Sequence, residues 1–235
     1  YQSNKRKFEM NPEEPSLLSH LNEARLKALS EGGLTTVIYC GKVRSELDLT
    51  VALNLHRSFV EQEVNKEQVN VTGILMGQAN SILHLLEGPC YSILRILNNL
   101  AQNEQYLGDN PIQKGSIVYN LEDRPNRFFP EWYSTVLQEQ KSPGDDTLTA
   151  ENSEEVVFDM ATRLLDLGSK LKTEPQEELE LSRYSDKFPG KGLIVALSQS
   201  NDYFQLDEFV QFYFGPYHVE LDSERSWPLE RLVKY

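Results

Sequence analysis

The stretch "VTGILMGQANSILHLLEGP" (71–89) constrains the fold more than any other part of this chain. It holds two strand-sized runs rich in Ile and Leu, joined by "GQAN", a tight-hairpin signal. Neither run alternates apolar and polar residues as a strand with one wet face would. The resulting sheet needs cover on both faces, and the rest of the chain has to supply it. One position breaks the pattern. His84 shares a strand face with Ile82 and Leu86, while Leu83, Leu85 and Glu87 point the other way. An imidazole there is either a satisfied core group or a ligand.

The neighbouring segments supply the other elements. Asn11-Pro12-Glu13-Glu14 is a helix start, with a capping side chain, proline in the first turn and acids favoured by the helix dipole. Leu17, Leu18, Leu21, Leu26 and Leu29 continue it, and Gly32-Gly33 ends it. "LTTVIYC" (34–40) reads as a strand. The segment 45–64 reads as an amphipathic helix on Leu49, Ala52, Leu53, His56, Val60 and Val64, with His56 a packed or boundary residue. After the hairpin come a helix (89–102), a strand (114–120), a loop (121–131) and a strand (132–138). The order βαββαββ defines an α+β, ferredoxin-like unit with an added strand.

Beyond it, 140–154 is a linker rich in Pro, Gly, Asp and Ser, and 154–171 is a strong amphipathic helix suited to cover the second face. Residues 172–190 read as another linker. "GLIVALS" (192–198), "LDEFVQFYF" (206–214) and "YHVELD" (217–222) then read as strand, helix and strand. That βαβ extension is too small to bury its own core and has to dock on the first domain or on a second chain. The expected divisions are 1–33 (tail and helix), 34–138 (main domain), 139–153 (linker) and 154–235 (helix plus extension).

Charge and composition exclude several classes of function. A net charge of −13 repels nucleic-acid phosphates and anionic lipid, and no run reaches the ~18–20 apolar residues of a spanning helix. Cys40 and Cys90 stand alone, which suits a reducing compartment such as the cytoplasm and no disulfide framework. No phosphate loop, nucleophile elbow or paired Cys/His set is present, so neither a catalytic residue nor a metal ligand is assigned. His84 and Glu87 sit on opposite strand faces and cannot converge on one ion. Glu87-Gly88-Pro89 reads as a strand-to-helix turn, with Glu87 beside the next helix N-terminus.

"VTGILMGQANSILHLLEGP" followed by "RFFPEWYSTVL" resembles the BLUF domain, a flavin-binding blue-light sensor, over roughly residues 34–138. The resemblance places the flavin-facing tyrosine at Tyr39, the asparagine of the first helix at Asn65 with a one-residue slip, and the tryptophan of the last strand at Trp132. It also places an arginine of the flavin site at Arg127, which reads equally as a surface ion pair. The light-switching glutamine falls on His84. An amide presents an acceptor and two donors on one flat group, whereas a neutral imidazole has one of each on opposite sides of a ring. The resemblance therefore implies the fold without the photochemistry. His84 would hydrogen-bond Tyr39 inside a degenerate pocket without cofactor. The alternative is a sensor that holds FAD or FMN in a pocket adapted to histidine.

The layout further resembles a BLUF-like protein of mammalian sperm. That resemblance implies a non-enzymatic structural or interaction protein of the flagellar axoneme, with protein partners and a possible homodimer. Phe209, Phe212 and Tyr213 belong to an aromatic cluster too large for one face of a short helix, and are candidate partner-binding residues.

Overall fold

A computed structural model describes residues 32–67, 70–106, 111–137, 152–173, 181–190 and 192–215, with scattered helical positions between 20 and 28. The elements are β1 (Leu34–Val43), α1 (Leu49–Glu67), β2 (Thr72–Gln78), β3 (Ser81–Pro89), α2 (Cys90–Tyr106), β4 (Ile112–Arg124) and β5 (Trp132–Val136), followed by α3 (Ser153–Leu171). A 3₁₀ segment (Leu181–Lys187), α4 (Leu193–Gln199), β6 (Phe204–Gln205) and α5 (Leu206–Phe214) complete the order. The sheet runs β5-β2-β3-β1-β4-β6. Its β2-β3-β1-β4 centre is antiparallel throughout, and β5 joins parallel to β2. This is the expected α+β, ferredoxin-like arrangement with an added strand.

Both faces are covered, as the unbroken apolar strands require. Val37, Tyr39, Leu75, Ile82 and Leu86 pack on one face against α1, α2 and α5. Ile38, Cys40, Ile74, Met76, Leu83 and Leu85 pack on the other against α3 and α4. The expected cover helix is therefore in place, on Met160, Leu164 and Leu167. Cys40 is a buried member of that second core, where burial pushes its thiol pKa up.

Three expectations change beyond residue 171. "GLIVALS" is helix α4, not a strand. Short apolar runs do not distinguish a strand from a buried helix by periodicity, and this one lies flat on the sheet with Leu193, Ile194 and Leu197 fully buried. Gly192, at φ 84, turns the chain into it and donates its N–H to Gln78 Oε1 (3.2 Å). The C-terminal section is thus no βαβ unit. Instead α4, a two-residue edge strand β6 and α5 extend the first domain's own layers. Part of the expected second linker is also ordered: the 3₁₀ segment packs on α3, with Lys187 paired to Asp166 at 2.8 Å. The expected helix start at 11–14, residues 140–151 of the expected 140–154 linker and the strand at 217–222 lie outside the described residues, and the linker's last two residues already belong to α3.

The hairpin carries two opposite backbone demands. Gly73 sits at φ 138, and a Cβ there would lie 2.0 Å from the Leu85 carbonyl oxygen. Ala79, in the turn, is a non-glycine residue held at φ 53. Gly73→Ala should lower unfolding free energy by at least about 3 kcal/mol, and Ala79→Gly should raise it by up to about 1 kcal/mol. Urea denaturation of both variants reads the two signs. A tolerated Gly73→Ala would refute the close approach of β2 to β3.

Candidate functional site

β1 and β3 pair so that Tyr39 lies directly opposite His84. Both side chains enter the helix-covered face, where His84 has 0% exposure and His56, from α1, is equally enclosed. Nδ1 of His84 lies 2.9 Å from the Tyr39 hydroxyl and 3.2 Å from Nε2 of His56. The Tyr39 hydroxyl is also hydrogen-bonded to His56 Nε2. On the far side of the His84 ring, Trp132 donates its indole N–H to Nε2 at 2.9 Å. Arg57, next to His56 on α1, stacks 5.5 Å from the Trp132 ring centre.

Donor counting orders the protons in this cluster. Burial pulls the His56 pKa from 6.5 to about 3, and burial, reinforced by His56 beside it, holds His84 well below 6.5. Both rings are neutral at physiological pH. An indole N–H can only donate, so Nε2 of His84 accepts and Nδ1 carries the proton. That proton faces the Tyr39 oxygen at 2.9 Å, closer than Nε2 of His56 at 3.2 Å, and the tyrosine hydroxyl in turn is assigned as donor to Nε2 of His56. The His56 proton then lies on Nδ1, a buried atom with no hydrogen-bond partner among the described residues. The chain runs in one direction: Trp132 to His84 to Tyr39 to His56.

The other face of β3 positions Trp132. The buried carboxylate of Glu87 accepts the backbone N–H groups of Phe128 (3.0 Å) and Phe129 (2.8 Å) and the Thr36 hydroxyl (3.2 Å). Arg127 donates to the Glu87 carbonyl (2.7 Å), the Thr72 hydroxyl (3.2 Å) and the Asn70 carbonyl (2.5 Å). The loop is thereby held beneath β2, where Gly73 donates to the Glu131 carbonyl at 3.1 Å and Trp132 enters the sheet. Glu87 thus anchors a loop from the sheet's second face, rather than serving the α2 N-terminus as expected. Arg127 ties backbone carbonyls and forms no surface ion pair among the described residues.

Of the four pocket residues nominated from the sequence, Tyr39, His84 and Trp132 come together. Asn65 is exposed near the end of α1. His56 completes the cluster; the sequence marks it as a packed or boundary residue and does not pair it with Tyr39. The available signal was a polar ring on the apolar stripe of the helix that must cover Tyr39. Among the aromatic candidates, Phe209 is buried in the first core while Phe212 is 71% exposed and Tyr213 half-buried. Phe209 therefore serves the fold, with only its edge reaching the surface. Among the described residues, no three His, Cys, Asp or Glu side chains converge as metal ligands, and no helix is long and apolar enough to cross a membrane.

Connectivity and strand register define an α+β protein with a ferredoxin-like sheet, similar in fold to BLUF domains. Over residues 34–215 the sequence matches the family of testis-expressed protein 47, and the chain belongs to that family. Among solved structures it is similar to BlrB, a BLUF protein in its dark state, at 17% identity over 65% of this chain and 95% of that one, with a TM-score of 0.36. BlrP1 BLUF is similar at 18% identity over 65% and 88%, also with a TM-score of 0.36. A bacterial light-regulated adenylyl cyclase is similar at 17% identity and TM-score 0.36 over 61% of this chain, which spans only 43% of that longer one. The fold assignment stands on the strand order and register, not on these scores.

The neutral imidazoles make stability pH-dependent. Unfolded, each histidine takes up a proton near 6.5; folded, His56 stays neutral to about pH 3 and His84 to well below 6.5. Their contribution is complete above 6.5 and is lost as pH falls toward the folded values. Between about pH 7.5 and 5.5, unfolding free energy should drop by roughly 1.4 kcal/mol per histidine. His56→Phe should remove one share of that slope. A flat profile in chemical denaturation would refute the neutral cluster.

Proposed function

We propose that this chain is a non-enzymatic structural or interaction protein in which the BLUF-like site is closed by its own side chains. The observation that carries this reading is His84, buried with both ring nitrogens already engaged, one by Trp132 and one by Tyr39. The residues present do not fit a flavin. The Tyr39 hydroxyl faces two imidazoles, and a flavin ring would have to displace His56 or Trp132 to reach it. The orphaned N–H of His56 is one small donor within the core, not a cradle for a ring system.

The cluster then ties β1, β3, β5 and α1 together. Its members supply no activated nucleophile and no charged acid or base at physiological pH, so no reaction is assigned to them. Membership of a testis-expressed family supports a role in sperm. Within that cell we assign the chain to the flagellar axoneme, where it works through protein partners. The acidic surface favours basic partner segments over the acidic surface of microtubules.

The test is the absorbance spectrum of protein produced with excess riboflavin, with analysis of flavin released on denaturation. The expected product is colourless. Stoichiometric FAD or FMN would overturn the closed-site reading and make Tyr39 and His84 pocket residues.

A further inference from the structure

Two exposed aromatic residues, Phe204 and Phe212, lie at the opposite end of the sheet order from the Tyr39–His84 cluster. β6 pairs with only Ser116 and Ile117 of β4. From Val118 onward, the outer edge of β4 is unpaired by any strand among the described residues. A groove of about 600 Å³ runs along it, floored by Ile117–Asn120. Its two walls differ in chemistry. α5 and β6 present Phe212 and Phe204, 71% and 62% exposed, on one side. The start of α3 and the turn before β6 present Glu154 and Asp202 on the other, beside Tyr119 and Tyr203, which pack on the second core. No Lys or Arg is among the described lining residues.

We infer that this groove takes an extended segment of a partner protein that alternates apolar and basic side chains and adds as a strand to the β4 edge. The inference deepens the interaction-protein reading and rests on it. An edge strand offers every second N–H and C=O to an incoming chain, and alternate side chains of that chain point to opposite walls. Aromatic rings line both walls here and the acids only one, so the complementary strand is apolar at one parity and cationic at the other. The same chemistry disfavours two rival occupants. The chain's own sequence after α5, "YHVELD" (217–222), would bring Glu220 and Asp222 at one parity toward the acidic wall. A second copy would bring the same acids from a protein of net charge −13.

The experiment uses the full chain and two fluorescent ten-residue peptides of equal composition. One alternates valine and lysine; the other places the same residues in two blocks. Expected is saturable, micromolar binding of the alternating peptide, at least about tenfold weaker for the block peptide, for Phe212→Ala and for Glu154→Lys with Asp202→Lys. Bound peptide should also slow amide exchange within Val118–Glu122. Equal binding of both peptides, or binding indifferent to all these variants, would overturn the inference. An affinity raised tenfold by truncation after Gly215 would give the groove to the chain's own tail, and peptide-free protection that grows with protein concentration would give it to a second copy; either contradicts a partner strand. A colourless protein that ignores the peptide loses this surface but keeps the closed cluster, whereas a flavin-loaded protein loses the cluster reading whatever the peptide does.

Discussion

The hydrogen bond between Tyr39 and His84 is the contact on which the rest of the site depends. It joins the two central strands across their register and sits buried under α1. A buried polar group left unpaired costs about 1–3 kcal/mol, so two imidazoles, a phenol and an indole are tolerable here only as a mutually satisfied set. Satisfaction also imposes direction. Trp132 has a single donor, and that donor decides where the proton sits on His84, then on Tyr39, then on His56. The network ends on one orphaned N–H, and this residual cost is confined to a single atom.

β3 works on both sides of the sheet. His84 meets Trp132 on one face, while Glu87, three residues on, holds the Phe128–Phe129 backbone on the other. The same loop puts the Phe129 ring under α3, where Gly168 leaves room: a Cβ there would lie 2.7 Å from that ring. Loop, cover helix and indole are thus positioned by one strand. Removing the Glu87 carboxylate would release Trp132 from a distance, without touching any member of the cluster.

The parts of this structure legible in the sequence are those set by local pattern. The hairpin, the opposed faces of Tyr39 and Cys40, and the cover helix follow from periods of two or of three to four residues, whereas the sharing of one face by Tyr39 and His84 follows only from the resemblance to the BLUF fold. What local pattern could not reach depends on partners far along the chain. His56 finds Tyr39 across 17 positions, and Glu87 finds Phe128 and Phe129 across about forty. α4 shows the opposite failure, a local β preference overruled by burial against the sheet. Phe209 and Phe212, three residues apart on one short helix, share a residue type and differ only in which way they face.

The most direct measurement is the imidazole ¹⁵N spectrum of His84 and His56, recorded near neutral pH and again about one unit lower. A closed, directional cluster places the proton of each ring on Nδ1, with Nε2 unprotonated in both, and neither ring should charge across that interval. A proton on Nε2 of His84, or a ring that titrates near its ordinary value, would contradict the donation from Trp132 and with it the closed site.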